Sequence, residues 1–241
     1  MKTNNGFTLV EMMITIAVTL LLLVAVYGAV NSVQRSSAGI ERKVTAQQDV
    51  KPALDLMALE ISMASYNPTY ATNIWVNPPG GASTCGATSA NQNYRGIQEA
   101  TANSIAVEMD IRGTADGSAP DGALGDPNET IRYNYDTVNQ YITRSTNCSG
   151  GNQPFLGDVP ANTRAVRVIN NTLGISLFRY FNGAGTEITA SNLPAGIPDI
   201  RRIDITLAVE TEEIDPATGT RRRLIYSTSV IPRNHAISQQ Q

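Results

Sequence analysis

The N-terminal part of the chain contains one long, uninterrupted apolar stretch. No charged residue occurs from position 12 to position 34, and positions 14–30 read ITIAVTLLLLVAVYGAV, which is almost entirely Leu, Val, Ile and Ala. An α-helix rises about 1.5 Å per residue, so about 20 such residues cross the roughly 30 Å hydrocarbon layer of a bilayer. The pattern therefore predicts one membrane-spanning helix near the N-terminus.

Beyond this stretch the apolar residues become periodic. They recur at steps of four and three, which predicts an amphipathic continuation of the helix with a head packed on its apolar stripe. A groove that binds a partner is the less favoured interpretation of the same stripe. The stripe comprises Val50, Leu54, Met57, Ile61 and Ala64, with Asp49, Lys51, Asp55 and Glu60 predicted to lie off it. We expect Gly28, Gly39 and Pro52 to interrupt the helix by weakening or kinking it.

The remainder of the chain alternates strand-like segments with turn residues. Asn-Pro and Pro-Gly pairs between positions 66 and 81 predict the end of the helix and a loop. Predicted strands occupy positions 104–111, 130–135, 140–144, 173–181, 199–210 and 222–231. Turns are predicted at Asn182-Gly183 and at 215–219, the latter closing a hairpin between the last two strands. The fold class predicted is α+β, a long N-terminal helix packed on an antiparallel β-sheet head.

Composition and charge narrow the class of protein. The chain has 241 residues, of which 41% are hydrophobic and 16% charged, and this balance is typical of a folded, loop-bearing extracellular protein. The formal net charge is only −3, and the arginines alternate with acids, as at 199–204 and 212–223. We therefore predict no nucleic-acid partner.

The chain has two cysteines, Cys85 and Cys148, both in surroundings rich in Gly, Ser and Asn. An even pair in an exported protein indicates one disulfide, which would close a loop of about 60 residues and stabilise it by roughly 3 to 4 kcal/mol. Two reduced thiols are the alternative. We favour the disulfide because the membrane segment independently argues for export.

Catalytic groupings are not evident in the sequence. His235 is the only histidine, so it cannot assemble a His-rich metal site, and we expect it to lie on the surface. No Gly-rich phosphate loop and no CxxC motif occurs. We therefore predict that the protein is not an enzyme and requires no cofactor.

One metal hypothesis concerns the acidic loop between positions 110 and 129. Four aspartates among glycines offer the oxygen ligands that calcium takes, although their spacing is not that of an EF-hand. Aspartate beside glycine is also ordinary turn sequence, and we favour that interpretation. The four calcium candidates are Asp110, Asp116, Asp121 and Asp126.

The residues directly before the apolar stretch carry the most specific motif. A six-residue leader, MKTNNG, with the single charge of Lys2 is followed by Gly6-Phe7-Thr8-Leu9-Val10-Glu11. A secretory signal peptide instead has small residues that mark cleavage after its apolar stretch. The chain resembles the type IV prepilin family in this string, although many pilins carry a proline where this chain has Gly28.

The resemblance implies a role for three of these residues. A prepilin peptidase is expected to cut between Gly6 and Phe7 and to methylate the new Phe7 amine. Glu11 is expected to pair with the cationic Phe7 amine of a neighbouring subunit and so to set the register of assembly. Its alternative role is that of a first-turn acid that favours the helix dipole.

Within the pilins, the chain is similar to PilW-type minor pilins and to the related J-type pseudopilins. The similarity rests on VKPALDLMALEI at 50–61, IRY at 131–133, FRYF at 178–181 and VIPRN at 230–234. It implies a leader at 1–6, a transmembrane and filament-core helix at 7–34, an amphipathic helix at 35–66 and a β-rich head at 67–241. Before assembly the subunit is expected to span the inner membrane once with its head in the periplasm. Afterwards it is expected in a pilus on the cell surface.

The function implied is that of a structural minor pilin that primes assembly or forms part of the pilus tip. Expected partners are the prepilin peptidase, the major pilin, other minor pilins, the assembly platform and, as a further candidate, a tip adhesin. Pilus assembly, twitching motility and cell adhesion are the expected processes. The alternative is a J-type minor pseudopilin of a type II secretion system. A third hypothesis, a module that binds a surface or DNA through residues 85–148, has no basic or aromatic cluster in its favour.

Overall fold

The computed structural model describes residues 7–77, 91–114, 117–146, 151–157, 165–216 and 218–236. Its first element is a single 54-residue helix, α1 (Leu9–Ser62), which follows Thr8 as its N-cap. Gly28, Gly39 and Pro52 do not end the helix, because all three lie inside α1, while a weakening or kinking effect of each stays a prediction. Pro52 is exposed, so the carbonyl that its ring leaves without a donor can be hydrated.

The amphipathic stripe of α1 is confirmed. Val50, Met57 and Ile61 are fully buried, Leu54 is nearly so, and Ala64 is buried directly beyond the end of the helix. The off-stripe acids Asp49 and Asp55 are exposed, as is Lys51. The prediction that Glu60 lies off the stripe is wrong, because its side chain is buried on the same side of α1 as the stripe.

The head contains two antiparallel sheets. The first is a five-stranded meander in which each strand pairs with the next one along the chain. Its strands are β1 (Ile97–Ala100), β2 (Ser104–Glu108), β3 (Thr130–Asp136), β4 (Tyr141–Ser145) and β5 (Gln153–Leu156). The predicted fold class, a long N-terminal helix on an antiparallel head, is confirmed.

The second sheet is organised around its longest strand. Its strands are β6 (Val166–Val168), β7 (Phe178–Phe181), β8 (Arg202–Thr211) and β9 (Arg223–Val230). β9 pairs with β8 from Ile203 to Glu210, so β6 and β7 pair with opposite ends of the other edge of β8. Two one-turn helices, α2 (Asn170–Leu173) and α3 (Leu193–Gly196), lie in the connections around β7.

Five of the six predicted strands are present with small shifts at their ends. The sixth, 173–181, is extended only at β7, because α2 ends there with Gly174 in the left-handed conformation, φ 65°. Three short strands, β1, β5 and β6, were not predicted. The buried face of α1 and residues of both sheets form one hydrophobic core, with Tyr133, Phe178 and Tyr180 among its largest side chains.

The predicted hairpin between β8 and β9 is confirmed, and its tip reaches helix α1. The Asp215 amide donates to the Thr220 carbonyl, and the Gly219 amide donates to the Asp215 carbonyl, which closes the turn. Gly39 of α1 is buried under this turn, and a Cβ added to it would lie 2.9 Å from Asp215 Oδ1. A glycine is therefore needed at position 39 for the hairpin to approach the helix this closely.

Candidate functional site

The first residues of α1 form a capping box. The Thr8 hydroxyl oxygen accepts from the Glu11 amide at 3.2 Å, and Glu11 Oε2 accepts from the Thr8 amide at 2.9 Å and from the Thr8 hydroxyl at 3.0 Å. These bonds satisfy amide groups that a helix start leaves without intrahelical partners. Phe7, directly before the cap, is 87% exposed. Glu11 is therefore used locally in the isolated subunit.

The N-terminal half of α1 is not covered by the head. Helix α1 is the one described helix that is long and apolar enough to cross a membrane, and its most apolar 18-residue stretch is not buried inside the protein. Leu9, Leu21 and Val24, for example, are each more than 70% exposed. So much apolar surface requires an apolar environment, and the helix fits membrane anchoring.

Comparison with known families identifies this same region. The model for the prokaryotic N-terminal methylation motif matches residues 1–27. No curated protein and no solved structure matches the chain. The motif supports a type IV pilin or a pseudopilin, a structural class of protein. It implies processing by a prepilin peptidase and use by pilus or secretion assembly machinery.

Two of the calcium candidates, Asp110 and Asp121, make hydrogen bonds within the loop. The Asp110 side chain is fully buried, and its Oδ2 accepts from the Gly122 amide at 3.0 Å and from the Thr69 hydroxyl at 3.3 Å. Asp121 Oδ1 accepts from the Ala123 amide at 3.0 Å, as in an Asx turn. Both carboxylates are thus used to fold the loop.

Glu129 organises the same loop and was not singled out in the sequence. Its Oε1 accepts from the amides of Ile111 and Arg112, and its Oε2 accepts from those of Gly125 and Asp126, at 3.1 to 3.3 Å. Burial raises the pKa of the Glu129 carboxyl, and these hydrogen bonds oppose the increase without cancelling it. Within the described ranges, no three His, Cys, Asp or Glu side chains are grouped so that they could hold a metal ion. Calcium binding stays a prediction.

Several predicted site residues lie outside the described residues. These are Gly6 of the cleavage site, Cys85 and Cys148 of the predicted disulfide, and Asp116 of the calcium hypothesis. The disulfide therefore also stays a prediction.

A buried charge cluster joins α1 to the first sheet. Glu60 accepts hydrogen bonds from the Tyr133 hydroxyl and from the Arg144 guanidinium, whose Nε lies 3.1 Å from Glu60 Oε2. Burial raises the pKa of the Tyr133 hydroxyl, and the Glu60 carboxylate raises it further. Glu60 and Arg144 are 7% and 20% exposed at their side chains, so solvent screens this pair only weakly. The sequence does contain a signal for the burial of Glu60, because Glu60 follows Met57 by three residues and so lies beside the apolar stripe.

The expectation that His235 lies on the surface is wrong, because the residue is fully buried. Its Nε2 lies 2.8 Å from the Ile197 carbonyl oxygen, an acceptor, so Nε2 donates and Nδ1 accepts from the Ser65 hydroxyl at 2.8 Å. The Ser65 oxygen in turn accepts from the Gly96 amide. His235 therefore fastens the last described residues of the chain to the end of α1, and polar neighbours make its burial tolerable.

We expect His235 to make the head less stable as the pH falls. Burial lowers the pKa of His235 to about 4, from an ordinary value of 6.5. Between these values the unfolded chain binds a proton that the folded chain does not, so stability is complete above pH 6.5 and is lost towards pH 4. Between pH 7 and pH 5 the loss is about 2 kcal/mol.

The measurement is urea unfolding of the full chain in detergent at both pH values, followed by the fluorescence of Trp75. The His235→Gln variant removes the titrating group and serves as the control, because other acids titrate equally in both proteins. The unfolding free energy of the wild type should fall by about 2 kcal/mol more than that of the variant. Equal pH dependence in the two proteins would contradict the assignment of a neutral buried His235.

Proposed function

We propose that this chain is a structural minor pilin of a type IV pilus, which primes assembly or forms part of the tip complex. The observation that supports a pilin-type subunit is the methylation motif at residues 1–27, which continues into a helix whose apolar first half the head leaves uncovered. The choice of a minor pilin rests on the similarity of residues 50–61, 131–133, 178–181 and 230–234 to PilW-type minor pilins. Such a helix suits two apolar environments in turn, a bilayer before assembly and the packed helices of a filament afterwards.

The proposed precursor spans the inner membrane once, with its head in the periplasm. A prepilin peptidase removes residues 1–6 by cutting between Gly6 and Phe7, and methylates the Phe7 amine. Glycine before the cut allows the close approach of the protease. The mature subunit then enters a pilus with the major pilin and other minor pilins through the assembly platform. We propose no catalytic role and no nucleic-acid partner.

Glu11 is proposed to set the register of the subunit. In a core of packed apolar helices an unpaired carboxylate is costly, and pairing with the Phe7 amine of a neighbour offsets this cost. The capping box that Glu11 forms with Thr8 holds its carboxylate beside the first turn of α1. Assembly then adds a second partner to a side chain that is already positioned.

The alternative is a J-type minor pseudopilin of a type II secretion system, since the motif is common to both assemblies. A deletion strain separates them when it is scored for surface pili, twitching and release of secreted proteins. If the chain is a minor pilin, we expect the deletion strain to lose pili and twitching while secretion continues. The full-length gene should restore pili and twitching. Normal piliation with failed secretion would overturn the proposal in favour of the pseudopilin.

A further inference from the structure

The length of α1 fixes the height of each head contact above the proposed membrane span. The charge-free stretch 12–34 is followed by Arg35. Its 23 residues cover about 34 Å, slightly more than the hydrocarbon layer. Gly39 and Arg42 follow Arg35 by four and seven residues, or about 6 and 10 Å along the helix axis. Each polar headgroup layer of a bilayer is about 5 to 7 Å thick. Gly39 therefore lies near the outer border of that layer, and Arg42 lies a few Å beyond it.

Residues 213–215, which lead from β8 into the hairpin turn and are called the hairpin tip below, are held at this height. Arg42 donates to the Ile214 carbonyl, and its Nη2 lies 2.7 Å from Glu213 Oε2. Asp215 lies against Gly39, one turn of the helix closer to the span. Three consecutive residues of the head are thus fixed between positions 39 and 42 of α1.

The chemistry of the hairpin tip suits a lipid surface. Ile214 is 56% exposed although it is a large apolar side chain. Both acids of the tip are paired with arginines, Glu213 with Arg42 and Asp215 with Arg222 at 2.5 Å. The tip therefore offers an apolar side chain to the bilayer without an unpaired negative charge that anionic lipids would repel.

We propose that the hairpin tip, residues 213–215, rests on the lipid headgroups of the membrane that holds the unassembled subunit, with Ile214 as the contacting side chain. This inference rests on the proposed membrane insertion of α1. It goes beyond that insertion because it orients the head: the Thr211 end of β8 faces the bilayer and the Arg202 end faces away. Extraction into a filament then separates the tip from the lipid.

The test uses depth-dependent quenching of single tryptophans in the full chain. Trp75 is the only tryptophan, so a Trp75→Phe background accepts one new reporter at a time. The reporters are Ile214→Trp at the tip, Ala184→Trp as the matched exposed control, and Val18→Trp within the span. Ala184 follows β7, whose Phe181 pairs with Arg202, about 30 Å along β8 from Thr211.

Each variant is reconstituted into phosphatidylcholine vesicles that contain either a headgroup nitroxide or brominated acyl chains. We expect the headgroup nitroxide to quench the Ile214→Trp variant at least about threefold more than the Ala184→Trp variant, given the 30 Å difference in height. Brominated chains should quench the Val18→Trp variant. If they do, and the two head variants are quenched equally by the nitroxide, the tip contact is overturned while insertion stands. If the Val18→Trp variant is not quenched, insertion itself fails.

Discussion

The Glu11→Gln variant is expected to insert into the membrane and to be processed after Gly6, yet to enter filaments at least about 100-fold less often than the wild type. Glutamine is accepted at this position of a capping box, so the start of α1 is preserved while the charge is removed. Leaving the Phe7 amine of a neighbour unpaired in an apolar core costs about 3 to 5 kcal/mol, and each 1.4 kcal/mol is a factor of ten.

The measurement is the ratio of this subunit to the major pilin in sheared filaments, with the membrane pool and its N-terminal mass measured in the same cells. The matched control is Thr8→Ala, which removes the cap and keeps the charge. It costs about 1 kcal/mol of helix stability. Incorporation should stay close to normal, because the backbone amide of residue 8 still donates to Glu11 Oε2 and keeps the carboxylate in place. Normal incorporation of Glu11→Gln together with failure of Thr8→Ala would assign Glu11 to capping alone and contradict the register proposal.

The second large effect is expected from Arg144→Met, which should lower the free energy of unfolding by about 3 to 5 kcal/mol, because it leaves the buried Glu60 carboxylate without its cation. The Tyr133 hydroxyl remains as a neutral donor and cannot compensate the charge. Urea unfolding of the full chain in detergent measures the difference, with the fluorescence of Trp75 as the signal.

Two comparisons make this result specific. Arg179→Met breaks the ion pair with Glu187, whose two side chains are 49% and 39% exposed, and should cost at most about 1 kcal/mol. The double variant Glu60→Leu with Arg144→Met removes both charges and should recover much of the loss, since a buried ion pair replaced by apolar residues is often neutral. Equal losses for Arg144→Met and Arg179→Met would show that the burial of the pair has no energetic consequence.

The elements that could be predicted are those whose signal is local. The stripe from Val50 to Ile61 and the long strands β8 and β9 have clear periodicity, and the turn at 215–219 has the residues that such a turn requires. Strands of three or four residues, such as β1 and β6, are too short for any period to be visible. The position of β6 also depends on pairing with β8, which lies far along the sequence, whereas β1 pairs with the next strand, β2, across a short turn.

The same distinction applies to the candidate site. The string from Gly6 to Glu11 can be identified from the sequence because processing acts on consecutive residues. The partners of Glu60 and His235 could not be identified, because Arg144 follows Glu60 by 84 positions and Ser65 precedes His235 by 170. Charge and hydrogen bonding, rather than hydrophobicity, decide that these two polar side chains are buried.

The long contact between the head and α1 also has a mechanical consequence. Contacts run from Gly39, under the hairpin, to Ile61, a distance of about 33 Å along the helix axis. A tensile load that enters through the uncovered N-terminal half is therefore applied in shear across many contacts at once, and not as a peeling force on one of them. The buried ion pair near one end and the hairpin tip at the other hold the two ends of this interface, so a load on the helix would be resisted at both ends.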